Sequence, residues 1–137
     1  MREFAEDWES AVAKAVFKCA QCGEVAARVA LVLDEPVPGE SSSSRSGLIA
    51  ESEFFGDWEQ VVLAAGLRPV ADALVDEDAA ALYQVDPLWA PFFCPECRAS
   101  YCHEHWSMTV IFDEEWTSWY DYTEGTCPRG HKRMVDD

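Results

Sequence analysis

The chain has 137 residues, which is enough for one domain with a single core and too few for two lobes of ordinary size. Hydrophobic residues make up 49% and charged residues 26%, a composition that excludes a disordered or fibrous protein. The 26 acidic and 10 basic residues give a formal net charge of -16, so DNA or RNA would be repelled and we expect no nucleic-acid partner. We expect one domain over residues 1–137.

The hydropathy of the chain indicates where in the cell the protein is found. No window approaches the run of about 18 uncharged apolar residues that a transmembrane helix needs. The segment Met1–Asp7 lacks the basic flank and the apolar run of an export signal. We therefore expect a cytoplasmic protein that does not contact a membrane.

The first quarter of the chain changes its hydrophobic period. Residues 2–15 carry Phe4, Trp8 and Val12 at spacings typical of one buried helical stripe, which predicts an N-terminal helix. From Val16 to Asp34 the residues are β-branched and alternate around two cysteines. This pattern predicts a strand, a tight metal-binding turn and a returning strand.

A Ser-rich segment and a helical segment follow. Residues 36–47 have too little apolar surface to pack and are predicted to form a flexible loop, after which Leu48–Phe55 is predicted to be a strand. Asp57 and Gln60 match a helix-capping box, and Gly66 would end that helix. We therefore expect a helical insertion over about 57–86.

In the last third of the chain the sequence pattern changes from helical spacing to β-forming and aromatic residues. Residues 69–85 predict one or two short helices that end before Pro87. The later strand candidates are Phe92-Phe93, Met108–Phe112 and Trp119–Tyr122. The predicted fold class is α+β: a small zinc-stabilised domain with an N-terminal helix, zinc knuckles on β-hairpins and a helical insertion.

The prediction of zinc rests on how the cysteines and histidines are spaced. Zinc prefers four soft or borderline ligands in a tetrahedron, and a Cys-x-x-Cys turn presents two thiolates to one ion. All six cysteines and two of the three histidines fall into close pairs. The pairs are Cys19/Cys22, Cys94/Cys97, Cys102/His105 and Cys127/His131. Eight ligands predict two structural zinc ions, and His103 remains either as a solvated residue or as one that contacts a metal ligand.

Three ways of combining the four pairs are open. A cross-brace joins the first pair with the third and the second with the fourth, whereas a sequential arrangement joins first with second and third with fourth. A third option makes the second and third pairs one compact site. The short spacer between Cys97 and Cys102 is natural where neighbouring pairs serve different ions, so the cross-brace is favoured.

The ligand pattern resembles known binuclear zinc modules. Cys94-Pro95-Glu96-Cys97-Arg98-Ala99-Ser100-Tyr101-Cys102-His103-Glu104-His105-Trp106, Cys127-Pro128-Arg129-Gly130-His131-Lys132 and the Cys19/Cys22 turn together are similar to modules of the RING, PHD and AN1 type. The resemblance covers about 45 residues of ligand frame, and the residues between Cys22 and Cys94 are foreign to it. In RING ligases a basic residue after the last ligand contacts the conjugating enzyme and ubiquitin, and the resemblance implies that role for Lys132.

Enzymatic zinc is the competing interpretation. It needs three protein ligands with an open fourth position, commonly beside a carboxylate base. His103-Glu104-His105 lacks the spacing that puts two histidines on one helical face. With eight ligands for two ions both sites are full, so we expect no catalytic residues.

The remaining conspicuous residues allow two interpretations each. The aromatic residues Trp106, Trp116, Trp119, Tyr120 and Tyr122 either shield the metal and fill the core or form an exposed recognition groove. The acidic clusters 76–78 and 113–115 are either solvated faces or contacts to a basic partner.

The sequence thus predicts a zinc-stabilised protein–protein interaction or adaptor domain. Two specific forms remain open. One is a RING-like ligase component of a ubiquitin-like conjugation system, with Lys132 in contact with a conjugation enzyme. The other is an acidic, non-enzymatic binding protein, such as an inhibitor or immunity factor, for a basic partner.

Overall fold

A computed structural model describes residues 4–33, 46–51, 57–116 and 119–136 of the chain. Over these residues the fold is mixed helix and small antiparallel sheets. The helices are α1 Phe4–Ser10, α2 Ala64–Val75 and α3 Ala79–Val85, with short 3-10 helices at Pro87–Trp89 and His103–His105. The strands are β1 Ala13–Lys18, β2 Val25–Leu33, β3 Ser46–Glu51, β4 Trp58–Val62, β5 Phe93–Cys94, β6 Ala99–Ser100, β7 Ser107–Phe112, β8 Tyr120–Thr126 and β9 Lys132–Asp136. No helix among the described residues has the length and apolar character needed to cross a bilayer.

The largest sheet has the antiparallel strand order β1-β2-β3-β4. Leu31 of β2 pairs with Ala13 of β1 and with Leu48 of β3, and both leucines are fully buried. Trp8 of α1 packs on the opposite face, against a small cluster formed by Ala30, Val32 and Ile49. Because both faces of the sheet are covered at β2, nearly all residues of this strand are apolar, instead of every second one.

Helices α2 and α3 cover the other face of this sheet. Val70 and Leu74 of α2 are fully buried in the main core with Leu82 of α3. The Asp78 carboxylate accepts a hydrogen bond from the Ala81 N–H at 3.1 Å, which caps the first turn of α3. The insertion between the ligand pairs is therefore part of the core.

The second half of the chain forms a two-stranded sheet, β5-β6, and a three-stranded sheet with the order β7-β8-β9. Arg133 of β9 ties these strands to the helical segment. Its guanidinium donates to the carbonyls of Pro87, Ala90 and Phe93 at 2.7–2.8 Å and lies 5.1 Å from the ring centre of Tyr83. Burial lowers the pKa of Arg133, and the three carbonyls take the place of water around the charge.

The prediction of a helix over residues 2–15 is wrong in its second half. Helix α1 ends at Ser10, and β1 begins at Ala13. Ala13, Ala15 and Phe17 alternate inward, and the Val12 N–H donates to the Leu31 carbonyl at 3.0 Å. Pairing with β2 therefore overrides the helical spacing of the aromatic residues.

The helix predicted to begin at Asp57 is also wrong. Trp58–Val62 is a strand, β4, and it pairs with β3 with Leu48 opposite Gln60. The helix begins later, at Ala64, and Gly66 lies inside it instead of ending it. The capping box is a local signal, and the β-branched residues of this segment gain more by extending the sheet.

The predicted loop 36–47 overlaps β3 at its end. Ser46 and Gly47 are paired with Leu33 and Val32 of β2, so the strand begins two residues before Leu48. Residues 36–45 lie outside the described residues, as do residues 52–55 of the predicted strand and the start of the predicted N-terminal helix.

Gly125 of β8 gives a test of how tightly the second half is packed. A Cβ at this position would lie 2.9 Å from Val135 Cγ1 and 3.0 Å from Trp106 Cε3, and both of these side chains are buried. We expect Gly125→Ala to lower the free energy of unfolding by about 1–3 kcal/mol, measured by chemical denaturation. Gly66→Ala is the control, because its Cβ would meet only Val62 Cγ1 at 3.5 Å and helical alanine should add about 0.5 kcal/mol. Equal stability of the two variants would contradict the packing.

Candidate metal centre

The structure brings all eight predicted ligands together in two clusters. Within each cluster the ligand atoms lie within 4.8 Å of one another. The first cluster contains Cys19, Cys22, Cys102 and His105, and the second contains Cys94, Cys97, Cys127 and His131. The first pair thus meets the third and the second meets the fourth, which is the cross-brace combination.

The first cluster joins the β1–β2 turn to the 3-10 helix His103–His105. The Cys22 and Cys102 sulfurs are 3.7 Å apart. His105 Nδ1 lies 3.5 Å from Cys19 Sγ and 3.2 Å from Cys102 Sγ. Cys19 and Cys102 are buried, whereas Cys22 is exposed, so this cluster has one side open to solvent.

The second cluster joins the β5–β6 turn to the β8–β9 turn. The Cys97 and Cys127 sulfurs are 3.7 Å apart. His131 Nδ1 lies 3.1–3.7 Å from the sulfurs of Cys94, Cys97 and Cys127. Both clusters therefore present three sulfurs and one Nδ1 nitrogen.

These separations fit a tetrahedral metal ion. With zinc–sulfur bonds of about 2.3 Å and zinc–nitrogen bonds of about 2.0 Å, the edges of a tetrahedron are about 3.8 Å between sulfurs and about 3.5 Å between sulfur and nitrogen. The sulfur–sulfur separations of 3.7 Å and sulfur–nitrogen separations of 3.1–3.7 Å are close to these edges. The two Cys3His groups can therefore hold metal ions and are compatible with two zinc ions.

The two Cys-x-x-Cys turns share one backbone conformation. Gly23 N–H donates to the Cys19 carbonyl at 2.9 Å, and Arg98 N–H donates to the Cys94 carbonyl at 2.8 Å. Both donors have left-handed backbones, with φ of 80° at Gly23 and 54° at Arg98. Glycine adopts this conformation freely, while Arg98 adopts it under strain that the turn must offset.

Backbone N–H groups also point at the ligand sulfurs. The N–H groups of Gln21 and Cys97 lie 3.4 Å from the sulfurs of Cys19 and Cys94. The Arg129 N–H lies 3.3 Å from the sulfur of Cys127. Such donors stabilise thiolate over thiol, so the turns favour the ionised form that a metal requires.

The thiols of each cluster differ in acidity when no metal is bound. Burial acts to raise the pKa of Cys19, but backbone hydrogen bonds outweigh it and lower the pKa to about 6, and the same balance lowers that of Cys127 to about 7. Burial raises the pKa of Cys94 and Cys102 to about 11. A metal ion must therefore displace the remaining protons, so metal affinity should rise with pH.

Glu96 and Tyr101 both interact with residues of the second cluster. The sequence pattern gave neither of them a role. His131 Nε2 lies 3.4 Å from a Glu96 carboxylate oxygen, which orients the ring with Nδ1 toward the sulfurs. Tyr101 is buried next to Cys102, and a hydrogen bond with Cys97 raises the pKa of its phenol to about 12. Tyr101 thus links the two clusters.

The aromatic residues divide between the two interpretations. Trp106 is buried and donates to the carbonyls of Phe92 and Tyr101 at 3.2 and 3.1 Å, so it belongs to the core beside the first cluster. Trp116 and Trp119 are exposed and stack with ring centres 5.9 Å apart. Sequence alone gave no signal that separates these tryptophans.

The other predicted positions lie outside the clusters. His103 is half-buried in the 3-10 helix His103–His105 and belongs to neither cluster. Lys132 begins β9 and is exposed, with its ammonium 3.8 Å from a Glu124 carboxylate oxygen. Lys132 directly follows the last ligand, His131, at the rim of the second cluster.

One known family matches the chain. The family described as "Domain of unknown function (DUF8328)" matches residues 9–137, a range that contains every residue of both clusters. The chain belongs to this family. Comparison with curated proteins and with solved structures gives no match. In this member of the DUF8328 family, the two clusters are therefore the features that indicate its chemistry.

Single-ligand variants should separate the two metal positions. We expect the purified chain to hold about two zinc ions, and Cys22→Ser and Cys97→Ser each to lose at least one ion. His103→Ala is the control and should retain both ions, because its ring belongs to neither cluster. Elemental analysis measures the zinc content, and a wild-type chain with one ion or none would contradict two complete sites.

Glu96 gives a second test of the second cluster. Glu96→Ala removes the partner of His131 Nε2 while leaving all four ligands in place. We expect the zinc affinity of this site to fall by about tenfold, measured by competition with a chromogenic chelator. Glu104→Ala is the control, since Glu104 is also an exposed acid and lies beside a ligand of the first cluster. An unchanged affinity in Glu96→Ala would show that Glu96 does not orient the ring.

Proposed function

We propose that this chain is a structural-zinc protein–protein interaction domain, folded as one domain over residues 1–137, that works as an adaptor. The observation that carries the proposal is that each cluster supplies four protein ligands. A tetrahedral ion in such a site has no open position for water or substrate, which is the hallmark of structural zinc. When bound, zinc would supply cross-linking of the fold rather than reaction chemistry.

The surroundings of the ligands support this role. A catalytic zinc site commonly places a carboxylate where it can activate a metal-bound water. The carboxylate next to the second cluster, Glu96, faces His131 Nε2 on the side of the ring away from the sulfurs. Glu96 therefore supports a metal ligand. We assign the function of the domain to its surface.

The charge of the chain narrows the class of partner. A formal net charge of -16 repels nucleic acid and attracts basic proteins over distances that depend on salt. Each cluster of three thiolates and one dication is itself negative, so zinc does not neutralise the surface. The partner we propose is a protein, either basic or a component of a ubiquitin-like conjugation system.

The ligase form of the proposal draws on the ligand order and on Lys132. The cross-brace combination is shared with RING modules, and Lys132 is exposed directly after the last ligand. In this form the domain would hold a loaded conjugating enzyme so that its thioester lies extended toward attack, and it would need no nucleophile of its own. The Lys132 ammonium would donate hydrogen bonds to both bound proteins.

A discharge assay tests the ligase form. We expect Lys132→Ala to retain two zinc ions and its melting temperature while slowing discharge of a loaded conjugating enzyme from the same organism about tenfold. Arg129→Ala is the matched control, because it removes the same charge from an exposed position in the turn that precedes Lys132. Discharge that is indifferent to the wild-type chain and to both variants would reject the ligase form and favour the acidic binding protein for a basic partner.

A further inference from the structure

A small pocket lies where the main sheet, the segment after α3 and the last strand meet. Its volume is about 240 Å³. The lining residues that carry its chemistry are Trp58 at the start of β4, Trp89 at the end of the 3-10 helix, Asp86, and Asp136 at the end of β9. Leu88 and Pro91 complete the apolar wall, and buried Val135 also lines the pocket.

The three parts are held together by Arg133 of β9, which is half-buried. Arg133 and Val135 are two residues apart and point to the same side of the strand. The Arg133 guanidinium donates to the carbonyls of Pro87 and Ala90, which flank Leu88 and Trp89 of the pocket wall. The arrangement of the walls is therefore set by the fold before any ligand binds, which lowers the entropic cost of binding.

The chemistry of the walls favours an organic cation. Tryptophan faces attract ammonium and guanidinium groups through the ring quadrupole, and carboxylates add direct charge attraction. Asp86 Oδ1 accepts a hydrogen bond from the Leu88 N–H at 3.0 Å, and Asp136 Oδ2 accepts one from the Tyr120 hydroxyl at 2.8 Å. These contacts hold both carboxylates in position while each carboxylate has a second oxygen with acceptor capacity.

The charged side chains among the described lining residues are all acidic. None of its described lining residues is lysine or arginine. The nearby guanidinium of Arg133 is directed to backbone carbonyls and to the Tyr83 ring, and it does not line the pocket. A cation that enters thus meets two carboxylates and no opposing lining charge.

The size of the pocket limits the ligand to one side chain. Pockets for drug-sized ligands and cofactors are usually about 300–1,000 Å³, whereas this one is about 240 Å³. We propose that the pocket formed by Trp58, Trp89, Asp86 and Asp136 binds the alkylammonium side chain of a lysine on a protein partner. This inference rests on the proposed function as a protein-interaction domain and assigns one of its contact points.

The test uses the zinc-loaded chain and two matched small molecules. Nα-acetyl-lysine N-methylamide carries the ammonium, and Nα-acetyl-norleucine N-methylamide has a similar aliphatic chain without it. We expect the lysine probe to shift the indole N–H signals of Trp58 and Trp89 in nitrogen–proton NMR spectra, saturably and less strongly at high salt. The signals are assigned with Trp58→Phe and Trp89→Phe. Absent shifts, or equal shifts with norleucine, would overturn the proposal.

A charge placed at the rim distinguishes the pocket from general attraction. Gln60 lines the pocket and is exposed on β4, so Gln60→Lys should raise the dissociation constant of the lysine probe about fivefold. Gln84→Lys makes the same change at an exposed position of α3 outside the pocket and should alter it much less. Equal weakening by both variants would reject the pocket in favour of long-range attraction.

Zinc content distinguishes failure of the lysine pocket from failure of the structural-zinc function. Zinc content and spectral dispersion are measured on the same samples, and they report on the structural-zinc domain. Loss of lysine binding with two zinc ions retained would reject the pocket alone. A wild-type chain without zinc would reject the structural-zinc function, whatever the pocket binds.

Discussion

The rest of the structure depends on two tetrahedral ligand sets that each join distant parts of the chain. The first set joins the β1–β2 turn to the residues after β6, and the second joins the β5–β6 turn to the β8–β9 turn. The two sets interleave along the sequence: the chain between Cys22 and Cys102 contains Cys94 and Cys97, and the chain between Cys97 and Cys127 contains Cys102 and His105. Closing either set therefore restricts the part of the chain that supplies half of the ligands of the other set. The two-residue strands β5 and β6 could not persist alone, so their geometry depends on this closure.

The two clusters are also coupled through packed side chains. Tyr101 is adjacent in sequence to a ligand of the first cluster, and Cys97 of the second cluster raises the pKa of its phenol. Trp106 follows His105 and donates to the Phe92 carbonyl beside the other cluster. Arg133, two residues after His131, carries the connection on to the helical segment. A metal ion bound at one turn would thereby also stabilise surfaces far from it, including the face that we propose binds a protein partner.

The surface that results is acidic and locally aromatic. Trp116 and Trp119 stack in solvent, and the tryptophans around the pocket are half-buried. Acidic groups near such rings attract cationic side chains while they repel polyanions. The composition and the exposed chemistry therefore both support the proposal of a basic protein partner, although they arise from different parts of the chain.

Spacing by itself predicted the eight ligands, because a Cys-x-x-Cys turn is a local structure that nearby residues such as Gly23 specify. Strands β2, β3, β5, β7 and β8 and helices α2 and α3 were predicted in outline for the same reason, whereas β6 and β9 were not predicted. The segment Trp58–Val62 was not, because its capping box favours a helix locally while pairing with β3 decides the outcome. The combination of ligand pairs, the burial of Trp106 and the role of Arg133 were likewise decided by tertiary structure. They depend on contacts between residues far apart in sequence, whose packing energy local patterns do not contain.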